Sequence, residues 1–160
     1  MLFPNECFID SNIFIIASVK KGNQKFKEFI DKVRFGEIKG FINPIVVSEI
    51  FHKFAITEIR ENMNVSYTEA MQLIKEEPKI IKNLKKAFKA IHEILSYEGI
   101  EILGMDEKNV TETIKIAKEN ELLFNDALIA STCKLNKIEN IITNDTDFER
   151  LEFLNTIKIN

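Results

Sequence analysis

The chain has no tryptophan, two cysteines, two histidines, three prolines and five glycines among its 160 residues, and each scarcity closes off a chemistry. The glycines are scattered singly, so no glycine-rich phosphate loop can be assembled. With only His52 and His92 there is no Ser-His-Asp relay: His92 sits beside Ile91 without a partner, and His52, one turn beyond Glu49, reads as a rim or surface residue. Cys7 and Cys133 lack the pairwise spacing of a zinc site and stand among apolar neighbours, as reduced core residues do. No apolar run approaches the roughly 20 residues that span a bilayer, and no basic region leads into an apolar run at the start. A soluble, cytoplasmic protein with no membrane partner is the expectation. The formal charge of -3 means that any affinity for nucleic acid must come from a local patch or from bound cations.

What the chain does have is acids at the ends of strands. Ile141 and Ile142 suit a strand covered on both faces, and Thr143-Asn144-Asp145-Thr146-Asp147 marks its carboxyl end. The same design appears near the start, where Cys7-Phe8-Ile9 runs into Asp10-Ser11-Asn12. Between them, further strands are expected at 40–42 and 100–103, and a last one at 157–159. A helix is expected after each strand but the last. Gly22 should break the first pattern, and Asn43-Pro44 is a helix start with a capping side chain. Ser66 and Glu69 form a capping box, and Pro78 should open a long helix whose apolar face is Ile81, Leu84, Phe88, Ile91 and Leu95, closed by Gly99. Asp106 should cap a helix with core positions Val110, Ile114 and Ala117. Asn125 should cap the next, in which Asp126 shares a face with Ile129, Ala130 and Cys133.

Five short strands separated by helices predict an α/β fold with a parallel sheet and helices on both faces, in a single domain over residues 1–160. The hydrophobic content of 45% suffices for one continuous core. In such sheets ligands bind beyond the carboxyl ends of the strands, where the strand order reverses. Asp10 and Asp145 stand at two such ends, Glu49 lies in the second turn of the helix after strand two, and Asp126 begins the helix before strand four. Each has an ordinary reading: a helix cap for Asp10, a pair with Lys53 for Glu49, a dipole-favoured acid for Asp126, and turn residues for Asp145 and Asp147. Together they predict one crevice of converging carboxylates, which repel unless a divalent cation joins them. Oxygen-only ligands select magnesium or manganese. Two such ions roughly 3.5 to 4 Å apart hold a phosphodiester for hydrolysis.

These motifs resemble the PIN-domain family of metal-dependent nucleases, which includes toxin ribonucleases of the VapC type. The resemblance runs over nearly the whole length, through Phe8-Ile9-Asp10-Ser11-Asn12, Val47-Ser48-Glu49, Asn125-Asp126-Ala127-Leu128-Ile129-Ala130 and Thr143-Asn144-Asp145-Thr146-Asp147-Phe148. It implies the sheet order 3-2-1-4-5, an endoribonuclease that leaves a 5′-phosphate, and Asp10, Glu49, Asp126 and Asp145 as catalytic residues and as ligands of Mg2+ or Mn2+. Asp147 is then a further ligand position, and Asn12 and Thr143 are supporting polar residues. It also implies an RNA substrate, a homodimer and, for a toxin, an antitoxin partner. The chain departs from the compact toxins in a helical insertion over about 64–98. Lys75, Lys79, Lys82, Lys86 and Lys89 there share one face if a helix bridges Pro78, and Lys79, Lys82, Lys86 and Lys89 are candidate RNA contacts. An RNA-processing enzyme outside toxin-antitoxin systems, a non-catalytic interaction module and a phosphoaspartyl module are the alternatives.

Overall fold

Strand β1 (Glu6–Ile9) buries Cys7, Phe8 and Ile9 in succession, as only a strand covered on both faces can. It pairs in parallel with β2 (Lys39–Ile42) on one side and β4 (Asn140–Ile142) on the other, Phe8 facing Phe41 and Ile141. Strand β3 (Ile100–Ile102) extends the sheet beyond β2, and β5 (Asn155–Ile157) extends it beyond β4, giving the order β3-β2-β1-β4-β5. This computed structural model describes residues 3–19 and 24–159, so the expected break at Gly22 lies outside the described residues. The order reverses between β1 and β4, and both strands run out into their acids: the Asp10 amide still donates to the Ile142 carbonyl at 3.1 Å.

The helices follow from local signals. Helix α1 (Ser11–Val19) leaves β1 directly, and α2 (Gln24–Arg34) turns Phe26, Phe29, Ile30 and Val33 to the core. Helix α3 (Pro44–Met63) begins as expected, with the Asn43 side chain accepting from the Val46 amide at 3.1 Å and proline in the first turn. Helix α4 (Tyr67–Glu76) carries both bonds of the capping box between Ser66 and Glu69.

The long helix expected from Pro78 is instead a 3-10 turn (Pro78–Asn83) followed by α5 (Lys85–Leu95). The two part at Leu84, whose ψ of 75 is not helical and whose side chain is drawn into a second small core with Ala55, Ile56, Ile59, Ala70 and Ala87. Met71 and Leu73 pack against this core, while Met63 remains exposed. The buried face of α5 is Leu84, Ala87, Ile91 and Ile94, and Phe88 and Leu95 point outward. Lys75, Lys79 and Lys82, and Lys86 and Lys89 therefore lie on three separate elements rather than on one helical face, and Lys86 is paired with Glu61 at 2.6 Å.

Helix α5 ends at Ser96, not at Gly99. The glycine is needed for close approach: a Cβ there would lie 2.3 Å from the Ile38 carbonyl oxygen and 2.5 Å from that of Val33. Helix α6 (Glu107–Asn120) is capped by Asp106 as expected, but it buries Asn109, Thr113 and Ile116 and exposes Val110 and Ile114. Helix α7 (Phe124–Leu135) buries Ala127 through Cys133, so both cysteines are free and enclosed. A second 3-10 turn (Asp147–Arg150) precedes β5, which forms two residues earlier than expected.

Candidate active site

The rim between β1 and β4 is organised by Thr143, a fully buried hydroxyl with all its hydrogen-bonding capacity in use. It donates to Asp10 Oδ2 at 2.6 Å and accepts from Asn12 Nδ2 at 3.1 Å and from the Asp145 amide at 3.0 Å. One hydroxyl thus fixes the two strand-end acids relative to each other. Asn12 also donates to Asp10 Oδ2, and its own oxygen receives the Asn144 amide at 3.4 Å. Asn12 and Thr143 thus both hydrogen-bond to the carboxylate of Asp10.

Glu49 is held between two elements by two residues that carry no such expectation, Ser11 and Asn125. Ser11 Oγ donates to Glu49 Oε2 at 2.8 Å and lies 3.3 Å from Asp10 Oδ1, bridging the first two acids. Asn125 Nδ2 donates to Glu49 Oε1 at 3.3 Å. Asn125 is therefore not the cap of α7. That position falls to Leu123, which makes no side-chain cap bond. The signal for both was adjacency, since Ser11 follows Asp10 and Asn125 precedes Asp126.

Asp126, in the first turn of α7, completes the group. Its carboxyl is pushed up from 3.8 to about 6, first by burial and then by Asp145, Asp10, Glu49 and Asp147. Asp10, only 6% exposed, is also raised, chiefly by burial, against the lowering effect of the Thr143 hydrogen bond and with Glu49 raising it further. Among the described residues, no cationic side chain stands among the main influences on either carboxyl. Asp147 is paired with a cation: Arg150 Nη2 donates to its Oδ1 at 2.8 Å, and its amide donates to Asp145 Oδ1 at 2.9 Å.

The structure thus brings Asp10, Glu49, Asp126 and Asp145 to one rim, as mutual electrostatic neighbours. Among the described residues, no three acidic, histidine or cysteine side chains are gathered closely enough to hold one ion between them. Ser11 stands between two of the acids, and Arg150 draws off the fifth. The donor set nevertheless suits a hard divalent cation: it is all oxygen and partly dehydrated. His52 is exposed on α3, as expected, and Lys79, Lys82, Lys86 and Lys89 are exposed on the insertion. No helix among the described residues is long and apolar enough to cross a membrane.

Comparison with known proteins follows the same outline. The PIN domain family model matches residues 7–154. Ribonuclease VapC2 of Methanocaldococcus jannaschii is 39% identical over 155 residues, covering 97% of this chain and 95% of that protein. Ribonuclease VapC6 of the same organism is 28% identical over 166 residues, covering 97% and 98%. Among solved structures, VapBC2 from Rickettsia felis bound to a promoter DNA fragment superposes with a TM-score of 0.61 at 16% identity, over 96% of this chain and 98% of that one. A toxin-antitoxin complex from Klebsiella pneumoniae gives 0.56 at 17%, over 96% and 99%.

Proposed function

The chain belongs to the PIN domain family, and we propose that it is a divalent-metal-dependent endoribonuclease acting through Asp10, Glu49, Asp126 and Asp145. The observation that carries the reading is the crowding of like charges at the topological switch point, felt most at Asp126. Magnesium or manganese, held by these carboxylates, would supply the Lewis acidity that activates water and stabilises the departing oxygen. The chain's own residues prepare that site. Thr143 and Asn12 orient Asp10, Ser11 and Asn125 orient Glu49, and the start of α7 fixes Asp126. Arg150 neutralises Asp147, which makes Asp147 the least available of the five acids.

The similarity to named VapC ribonucleases supports a cytoplasmic toxin with an antitoxin protein as partner. For a second copy as partner, the support is apolar surface: Met63, Phe88 and Leu95 lie exposed on and beside the insertion at about 64–98. Sedimentation at tens of micromolar should give a dimer, and a monomer there removes the homodimer. The decisive experiment is cleavage of RNA by purified protein with manganese or magnesium. Activity should stop with excess chelator, leave 5′-phosphate ends, and fall by at least roughly a hundredfold in Asp126→Asn, the scale of one lost transition-state contact. Cleavage indifferent to chelator defeats the metal mechanism.

A further inference from the structure

Helix α5 presents three sides, and only two of them are occupied by the fold. Ala87, Ile91 and Ile94 face inward. On one flank Lys86 pairs with Glu61, and Glu93 with Arg34. The third side is Lys85, Lys89 and His92, all exposed, at positions i, i+4 and i+7, which helical geometry stacks in one line. Every Asp and Glu of the chain lies within the described residues, and none of them forms an ion pair with Lys85 or Lys89.

The charge around this side is one-signed. Residues 78–92 hold five lysines and no acid, a charge of +5 in a chain of -3, so the remainder carries -8. Helices α2, α3, α4 and α6 mix both signs instead. Lys79 and Lys82, exposed on the preceding 3-10 turn, belong to the same basic stretch. The arrangement opposes local stability. Lys85 and Lys86 put cations into the first turn, against the helix dipole, and Lys85 and Lys89 are like charges at i and i+4. Such departures from local preference concentrate at functional sites.

Position separates this side from the cut. On α3, Phe51 meets the Phe88 ring at a centroid distance of 5.0 Å, and Glu58 accepts the Ala87 amide at 3.0 Å. At about 100° per residue, Phe51 and Glu58 point about 200° and 180° away from Glu49 around that helix. Helix α5 therefore packs on the side of α3 turned away from the acids. Metal ions at the acids hold one phosphodiester, whereas phosphates further along a strand are bound by fixed cations. Resting on the ribonuclease reading, we propose that the Lys85, Lys89 and His92 face of α5, with Lys79 and Lys82 before it, is a second RNA-binding site that grips phosphates away from the scissile bond. Phosphate contacts carry no sequence information, so this face adds affinity for long RNA without selecting the cleaved sequence.

The test measures binding in the Asp126→Asn background, with manganese and a single-stranded oligoribonucleotide long enough to reach both places. Each phosphate contact contributes about 0.7 to the slope of log affinity against log salt. Replacing two lysines, Lys85→Gln with Lys89→Gln, should therefore flatten the slope by about 1.4 and weaken binding roughly tenfold at about 0.15 M salt. In the otherwise native protein the same double variant should raise KM for the long strand by a similar factor, with kcat unchanged and with KM unchanged for an oligonucleotide of a few nucleotides. Its urea midpoint should equal or exceed that of wild type, since a repulsion is removed, which separates lost binding from lost fold. Its manganese-induced rise in Tm should match that of wild type, which separates this face from the metal site. If wild type cleaves RNA and the double variant keeps both salt slope and KM, the second site is refuted while the ribonuclease stands. If the double variant changes only the monomer–dimer balance, the binding of a protein partner or the binding of anionic phospholipid vesicles, the face belongs to that partner and the proposal is overturned. If wild type neither binds nor cleaves RNA, both readings fall.

Discussion

At Asp126, burial and four neighbouring acids raise the carboxyl from 3.8 to about 6, and a raised acid carries a definite sign. Between the unfolded value and the raised one, the folded state binds more protons than the unfolded state, so stability falls as pH rises through that window. Metal-free protein should lose Tm from about pH 3.8 to about pH 6, and Asp126→Asn should flatten the loss. Thermal melts in chelator across that range check this, and a wild-type Tm that climbs with pH would contradict it. Thr143→Val keeps the volume but removes the hydroxyl that serves Asp10, Asn12 and the Asp145 amide. We expect a loss of about 1–3 kcal/mol in urea unfolding together with loss of cleavage, since buried partners are left unsatisfied. The acids themselves were legible because charge at strand ends is conspicuous. Ser11 and Asn125 were not, because short polar side chains beside an acid look the same whether they cap a helix or bridge to an element far along the chain.

At the scale of the element, two helices present a face turned from the expected one, α6 by a full residue and α5 by less, since Leu84 and Ile91 belong to both sets. In α5 the buried set is Leu84, Ala87, Ile91 and Ile94 instead of the set with Phe88 and Leu95, and in α6 it is Asn109, Thr113 and Ile116 instead of Val110 and Ile114. In α6 the one-residue shift is a rotation of about 100°. The cause is close contact through small or polar residues, which a hydrophobic stripe does not reveal. The Thr113 and Ser131 hydroxyls meet at 2.9 Å between α6 and α7. In α5, the buried Glu58 carboxylate on α3 accepts the Ala87 amide at 3.0 Å and caps a helix whose own first residue lacks a capping side chain. Glu58→Ala should therefore cost about 0.5–2 kcal/mol in urea unfolding, and Glu58→Gln, which keeps an acceptor, markedly less. Where a cap signal was local and two-sided, as in Asn43-Pro44 and in Ser66 with Glu69, it was read correctly.

For the whole molecule, a parallel sheet with helices on both faces followed from the alternation of strands and helices, whereas the strand order, and with it the rim between β1 and β4, followed only from the family resemblance. Gly99 shows what periodicity omits: its place after an apolar stripe predicts a helix cap, whereas it lies against the Ile38 and Val33 carbonyls. Gly99→Ala should destabilise the protein well beyond the usual surface range of about 0.5 kcal/mol, measurable as a lower urea midpoint. Binding of a cation to the native acids alone should stabilise by about 2.7 kcal/mol at a hundredfold excess over Kd, and manganese should move the Tm of wild type far more than that of Asp126→Asn. The crossover connections have one more consequence. Thr143 and Asp10 bond across 133 residues of chain, so the rim closes only when β4 reaches β1. At translation rates of about 5–20 residues per second, roughly 7 to 27 seconds separate the synthesis of the first acid from that of the threonine that aligns it. A nascent or truncated chain, still surrounded by the ribosome's own RNA, carries acids but no assembled blade.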